Sequence, residues 1–256
     1  MLLEQLKNNS FSKLYRIHDK KGPKFLKIYK KNKYFDLNCP LSLTTHKNNL
    51  NTLFKNKLTV GHQIISNQIL ILDTIKDHKH PNINNFFSIN LKKFSISLKK
   101  LQKLKELKGI ISLNDKISLT LKILSNDYAL KQLKINSQKV KNYIGAYEQN
   151  TICHGDLHFN NIFTNKTNCI FIDWDYCTIS TAGFDLAMLS YLENFNKKQL
   201  EILATSNNIK FKEIEHYLPI CVLLDFLYQL QISKISRKPL NFKPYDKLKS
   251  FLPYIT

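Results

Sequence analysis

The run ICHGDLHFNNIF, residues 152–163, followed by CIFIDWDYC, residues 169–177, constrains this chain more than any other feature. Asp156 and Asn161 stand five residues apart, so a carboxylate and an amide oxygen face one site from a single loop. Asp173 follows twelve residues after Asn161, the length of a tight hairpin that returns the chain to the loop it left. Hard oxygen ligands gathered in this way suit Mg2+, which takes one or two carboxylates and keeps its other positions for water and phosphate. The charge distribution sharpens the point. The formal charge is +20, yet Lys166 is the only lysine or arginine between positions 142 and 196. An ammonium beside these aspartates would compete with a metal, which gives the gap a physical reason.

Taken singly, His154, Asp156 and Asn161 read as a hydrogen-bonded loop and Asp173 as a turn cap. Taken together, H-x-D-x-x-x-x-N followed by a hydrophobic strand ending in I-D-W-D reads as a phosphotransferase loop, with a carboxylate for the attacking hydroxyl and oxygen ligands for the metal. His158 reads as a surface or loop-packing histidine. A zinc site on His154 and His158 lacks a third ligand at metal spacing.

Composition narrows the alternatives. Apart from Arg16 and Arg237 the basic residues are all lysine, spread along the 256-residue chain. That spread reads as a solvated surface rather than a nucleic-acid footprint, which would need clustered arginine or interleaved aromatics. Five cysteines, at 39, 153, 169, 177 and 221, form no C-x-x-C pair. They suggest neither a disulfide framework nor a zinc ribbon, and a reducing, cytoplasmic setting fits them. Glu4 and Lys7 interrupt the N-terminus before a signal-length apolar run forms. LPICVLLDFLYQL, from 218, is short, carries Asp225 and reads as a buried helix, so no membrane insertion is expected.

Residues 13–18 and 24–30 read as a hairpin about Asp19–Pro23 with Gly22, and 68–75 as a further strand. Leucines and Phe94 at spacings of three or four over 91–107 predict a helix stopped by Gly109. Further helices are expected at 115–125 after Asn114, at 137–148 with Ser137 as N-cap, and from about 184 onward. Between them, 150–180 reads as strand, loop, strand, a turn at Asn165–Asn168, and strand. The fold class is therefore α+β: a small mixed, β-rich lobe over 1–80, and a larger, mainly helical lobe over 81–256 that carries the quoted loop. The boundary is expected near His80 and Pro81.

HGDLHFNN, IDWDY and GFDLA (183–187) resemble the family of small-molecule kinases that contains choline and ethanolamine kinases, thiamine kinases and aminoglycoside phosphotransferases, with their protein-kinase-like fold. The resemblance is strong over about 150–190. It implies Asp156 as catalytic base, Asn161 and Asp173 as Mg2+ ligands, His154 as the residue that holds the loop, and Asp185 as a structural brace for it. It implies ATP as the phosphoryl donor and a small-molecule alcohol as the acceptor. KFLKIY resembles the family's third strand and makes Lys27 the phosphate-binding lysine, or Lys24 if the register shifts. NNSFSKLYRI (8–17) aligns on the nucleotide loop with Asn8 and Asn9 in glycine positions and Ser12 as a phosphate donor. Asparagine tolerates positive φ better than other non-glycine residues. ILDTIKD (71–77) resembles the adenine hinge, with Asp73, Thr74 and Ile75 presenting backbone groups.

One departure stands out. The family's lysine has an acidic partner on the next helix, but THKNNLNTLFKN contains no acid, leaving other groups such as Asn48 to position Lys27. I-D-W-D-Y and the C-terminal tail look more like choline or thiamine kinases, so a cationic acceptor is expected in an acidic and aromatic pocket. Asp175 and Trp174 are the substrate-side candidates, with Tyr176, Asp225, Phe226 and Tyr228 beside them. The alternatives are an aminoglycoside-type phosphotransferase and a nucleotide-binding pseudokinase that regulates a partner.

Overall fold

In the computed structural model the described residues are all except 1, 9–10, 20–21, 32–42, 67, 76–77, 106, 238, 241–245, 247, 251 and 254–256. They form two compact units that the chain enters twice: residues 1–110 with 159–175, and residues 111–158 with 176–256.

The first unit is built on an antiparallel sheet of five strands, β1 (Leu2–Asn8), β2 (Ser12–Asp19), β3 (Gly22–Tyr29), β4 (His62–Ser66) and β5 (Ile69–Asp73), in the order β1-β2-β3-β5-β4. Helix α1 (Leu43–Lys55) is inserted between β3 and β4. The β2–β3 hairpin closes at Asp19 opposite Gly22, whose φ of +113° lies where glycine meets no Cβ penalty. β1 was not expected. It is an edge strand whose Leu3 and Leu6 stay exposed, so no burial pattern marks it in the sequence.

Helix α2 (Leu91–Gln102) carries the unit's aromatic core and follows a five-residue π turn at Phe86–Asn90. Phe86, Phe94, Phe159, Phe171 and Trp174 form a chain of edge-on and tilted rings with centroids 5.2 to 6.2 Å apart. The helix ends at Gln102, short of the expected 107. The hairpin β7 (Ile162–Thr164) and β8 (Cys169–Phe171) is fastened to it, with Ser97 Oγ donating to the Cys169 carbonyl (2.6 Å) and Lys93 Nζ to that of Asn165 (2.6 Å). Its turn is the one expected at Asn165–Asn168. Asn165 Oδ1 accepts from the backbone of Thr167 and Asn168 at 2.8 and 2.9 Å, the reason asparagine suits this place.

The second unit is mainly helical: α3 (Leu113–Leu124), α4 (Tyr128–Gln132), α5 (Ser137–Ile144), α6 (Ala182–Leu192), α7 (Lys197–Asn207) and α8 (Phe211–Ser236), with the short pair β6 (Thr151–Cys153) and β9 (Thr178–Ser180). Two caps differ from expectation by one or two residues. Ser112, not Asn114, caps α3, and Asn136, not Ser137, caps α5 by accepting from Gln138 and Lys139. α5 also stops at Gly145 rather than continuing to 148. Neighbouring Ser and Asn are equally able to cap, so backbone geometry chooses between them.

α8 is long and apolar enough to cross a membrane, and half of its most apolar window is buried within the protein. Phe184 of α6 packs edge-on against its Tyr217, ring centroids 5.9 Å apart, and Glu213 accepts from the Gly183 N–H at 2.7 Å.

Candidate active site

β3 and the β7–β8 hairpin bring three expected residues together within the first unit. Lys27 is buried, and its ammonium lies 2.6 Å from Asp173 Oδ1 and 2.6 Å from Asp175 Oδ2. Tyr29, also buried, donates its hydroxyl to Asp175 Oδ1 at 2.8 Å. Burial by itself would lower the Lys27 pKa; the two carboxylates outweigh it and hold the ammonium well above its ordinary value. Asp175 is raised, because burial disfavours its charge and the neighbouring Asp173 carboxylate repels it, against the pull of the Lys27 ammonium.

Lys24 is three residues from Lys27 and therefore on the other face of β3. It lies 3.8 Å from the exposed Asp73. Tyr29 was missed in the sequence, although the signal was present: two residues from Lys27 on a strand, it shares that lysine's face.

Asp173 has φ +63°, a left-handed conformation uncommon outside glycine, asparagine and aspartate. Asn161 is buried at the end of the 3-10 turn Phe159–Asn161, and its carbonyl accepts from Ile172 N at 3.0 Å, which ties it to the strand end that presents Asp173. An amide oxygen and a carboxylate on one hairpin are a donor set that suits Mg2+. Trp174 is core: it is buried, and its indole N–H donates to the Phe171 carbonyl at 3.1 Å.

Lys27, Ser12 and Asp173 line a cavity of about 310 Å3, walled by Leu14, Val60, Leu70, Leu72, Phe163 and Ile172. Aliphatic walls with a cation and a carboxylate at one side are the surroundings a purine nucleotide needs. Asp73 and Ile75 line it too, while the Thr74 hydroxyl donates to the Pro23 carbonyl. Of the glycine-like pair, Asn8 ends β1 and accepts from Lys30 Nζ at 2.7 Å, and Asn9 lies outside the described residues. Asn48 is exposed on α1; its neighbour Asn49 is buried and bonds the backbone of Lys108.

Asp156 and His154 belong to the second unit, on the loop after β6. Asp185, fully buried near the start of α6, accepts from His154 N on Oδ2 (2.8 Å) and from Gly155 N on Oδ1 (2.9 Å). Burial pushes its carboxyl up to about 6 against the two donors, which pull it down. His154 is fully buried, and its Nδ1 accepts from Asp156 N at 3.3 Å, so the ring proton sits on Nε2. Gly155 has φ +82°, and a Cβ there would run into the carbonyl of Tyr176. The loop therefore requires glycine on two counts. His158 Nε2 stands 3.9 Å from Asp156 Oδ2, beyond hydrogen-bond reach.

Four acceptor-side candidates also lie in this unit. Tyr176 meets Tyr228 edge-on at 6.1 Å, and Asp225 Oδ2 accepts from Tyr191 at 2.6 Å. Phe226 is core, with no exposure. Tyr191, 34 residues from Asp225, carries no sequence signal for this pairing.

A five-stranded antiparallel sheet with a helix after its third strand, a buried lysine on that strand, and a helical part with a braced H-G-D loop define the class: the chain has a protein-kinase-like fold. The model of the phosphotransferase enzyme family matches residues 124–210. A LicA homolog from Metamycoplasma hominis is 26% identical over 216 residues, 78% of this chain and 77% of that protein. The crystal structure of choline kinase LicA from Streptococcus pneumoniae superposes with a TM-score of 0.81 at 16% identity, covering 99% of this chain and 94% of the other. ADP-bound aminoglycoside phosphotransferase APH(2'')-Ib gives 0.63 at 14% identity, covering 98% and 92%. The chain is thus similar to this phosphotransferase family over residues 124–210 and shares its fold with these kinases.

Proposed function

We propose that the chain is an ATP-dependent small-molecule kinase whose acceptor is a small cationic alcohol of the choline, ethanolamine or thiamine kind. The observation that carries this reading is the acidic and aromatic group of the second unit. Asp225 and Tyr228 are one turn apart on α8, Tyr191 bonds the Asp225 carboxylate, and Tyr176, whose ring meets Tyr228, has its carbonyl where a Cβ on Gly155, the residue before Asp156, would fall. Carboxylate and ring faces attract an ammonium that is not itself a strong donor. Choline kinase activity in a relative of the same fold supports the choice.

In this reading Asp156 orients the acceptor hydroxyl and receives its proton as the oxygen attacks the γ-phosphorus. Asp185 holds the backbone just before Asp156, and His154 accepts from the Asp156 N–H. Lys27 presents its ammonium to the phosphates, and Ser12 and the backbone of Asp73 to Ile75 position the nucleotide. Asn161 and Asp173 would hold Mg2+, which when bound supplies positive charge to the phosphate oxygens. The division near His80 and Pro81 is kept as one of labour, nucleotide on the N-terminal side and acceptor chemistry on the other. A cytoplasmic location accords with the four described cysteines, all free and buried, whose thiols burial pushes up and so keeps unreactive.

The test is ADP release with Mg2+ and a panel of choline, ethanolamine, thiamine and an aminoglycoside, with Asp156→Ala as control. One cationic alcohol is expected to raise release in the wild type alone. Stimulation only by the aminoglycoside would refute the acceptor class, and bound nucleotide with no stimulation by any alcohol would favour the pseudokinase.

A further inference from the structure

Among the described residues no helix acid meets Lys27: α1 has no carboxylate in its thirteen residues. A lysine held only by Asp173 would be poorly served, since a carboxylate that turns to a metal ion gives up its hold on an ammonium. A second carboxylate stands beside it. Asp175 Oδ2 is as close to Lys27 Nζ as Asp173 is, 2.6 Å, and its other oxygen is fixed by the Tyr29 hydroxyl at 2.8 Å. The Lys27 ammonium also lies 5.0 Å from the centroid of the Tyr29 ring, so one tyrosine contacts both members of the pair. The side chain of Asp175 is 15% exposed against 41% for Asp173, and Tyr29 is 3% exposed. The more enclosed carboxylate thus bridges the lysine and the Tyr29 hydroxyl, one oxygen to each, while Asp173 is the more open of the two.

We infer that Asp175, anchored by Tyr29, is the positioning residue for Lys27, taking the place of the helix acid and keeping the ammonium aimed at the nucleotide when Asp173 engages a metal. All four residues belong to the first unit, so the arrangement rests on one compact body: β3 supplies Lys27 and Tyr29 on one face, and the end of the β7–β8 hairpin supplies Asp173 and Asp175. The inference rests on the nucleotide half of the proposed function and is independent of which alcohol accepts the phosphoryl group.

The experiment is calorimetric titration of the full chain with ADP at several Mg2+ concentrations, for the wild type, Asp175→Asn, Asp175→Glu, Tyr29→Phe, Lys27→Met and the double variant Lys27→Met with Asp175→Asn. Loss of a charge-assisted hydrogen bond predicts about tenfold weaker ADP binding in Asp175→Asn, with an unchanged half-saturating Mg2+ concentration. Asp175→Glu should recover part of the loss, and the double variant should bind no worse than Lys27→Met, because Asp175 acts only through the lysine. Tyr29→Phe, which removes a single hydroxyl, should give about a twofold to threefold loss and keeps the test open if Asp175→Asn does not fold. A shifted Mg2+ requirement in Asp175→Asn would make Asp175 a metal ligand and overturn the inference. So would a full additional loss in the double variant, or ADP binding that is unchanged or tighter. Because the readout is nucleotide binding, failure to find an acceptor would leave this result standing, whereas a wild type that binds no ADP would remove both.

Discussion

Replacing Asp185 by asparagine leaves one acceptor oxygen where the loop uses two. In the wild type the carboxylate receives the N–H groups of His154 and Gly155 while fully buried, and that burial lifts its carboxyl from 3.8 to about 6. The folded chain therefore holds this proton more tightly than the unfolded chain does. The contribution to stability is fully present below pH 3.8 and is lost as the pH rises through about 6. At 1.36 kcal/mol per pH unit the loss amounts to about 3 kcal/mol. Asparagine does not titrate, but its amide nitrogen only donates, so one of the two loop N–H groups loses its acceptor at a cost of about 1–3 kcal/mol at every pH. Asp185→Asn should therefore be less stable than the wild type by about that amount near pH 4, and the difference should move in its favour by up to about 3 kcal/mol between pH 4 and 7. Turnover should fall about tenfold or more as the backbone beside Asp156 loosens. Urea unfolding of both proteins between pH 4 and 7.5, with kcat measured at pH 7.5, reads each quantity. A stability difference that does not vary with pH, or one that moves against the variant as the pH rises, would refute the reasoning.

Gly155→Ala should lower the melting temperature and cut kcat by more than tenfold, since Ala at φ +82° costs about 1–2 kcal/mol and its Cβ meets the Tyr176 carbonyl; thermal melts with steady-state kinetics check it. Asp225→Asn should raise the KM for a cationic acceptor about tenfold and leave the KM for ATP unchanged, which initial rates with each substrate varied would show. Phe94→Ala, at the centre of the aromatic chain of the first unit, should cost about 3–5 kcal/mol in urea unfolding.

What could be read in the sequence was what depends on near neighbours. The loop and hairpin from Cys153 to Asp173 were legible because their spacing is local and Asn165 builds the turn by itself. The β2–β3 hairpin was legible through Gly22, and α2 through its three-and-four spacing. Helix starts were blurred where two capping residues stand side by side, as at Asn136 and Ser137. β1 was hidden because an edge strand with exposed leucines shows no buried face. The contacts that complete the site, Lys27 with Asp175 across 148 positions and Asp225 with Tyr191 across 34, arise only when distant segments pack, and no spacing rule reaches them. The roles of the loop residues came from the resemblance to a kinase family rather than from spacing.

The most direct measurement of the central claim is a single-turnover experiment with γ-labelled ATP, Mg2+ and choline, for the wild type and Asp156→Asn, with nucleotide binding measured alongside. The account predicts labelled phosphocholine from the wild type and at least about a hundredfold less from Asp156→Asn at equal nucleotide affinity. Undiminished transfer by the variant, or no transfer to choline or any other cationic alcohol by a wild type that binds nucleotide, would contradict it.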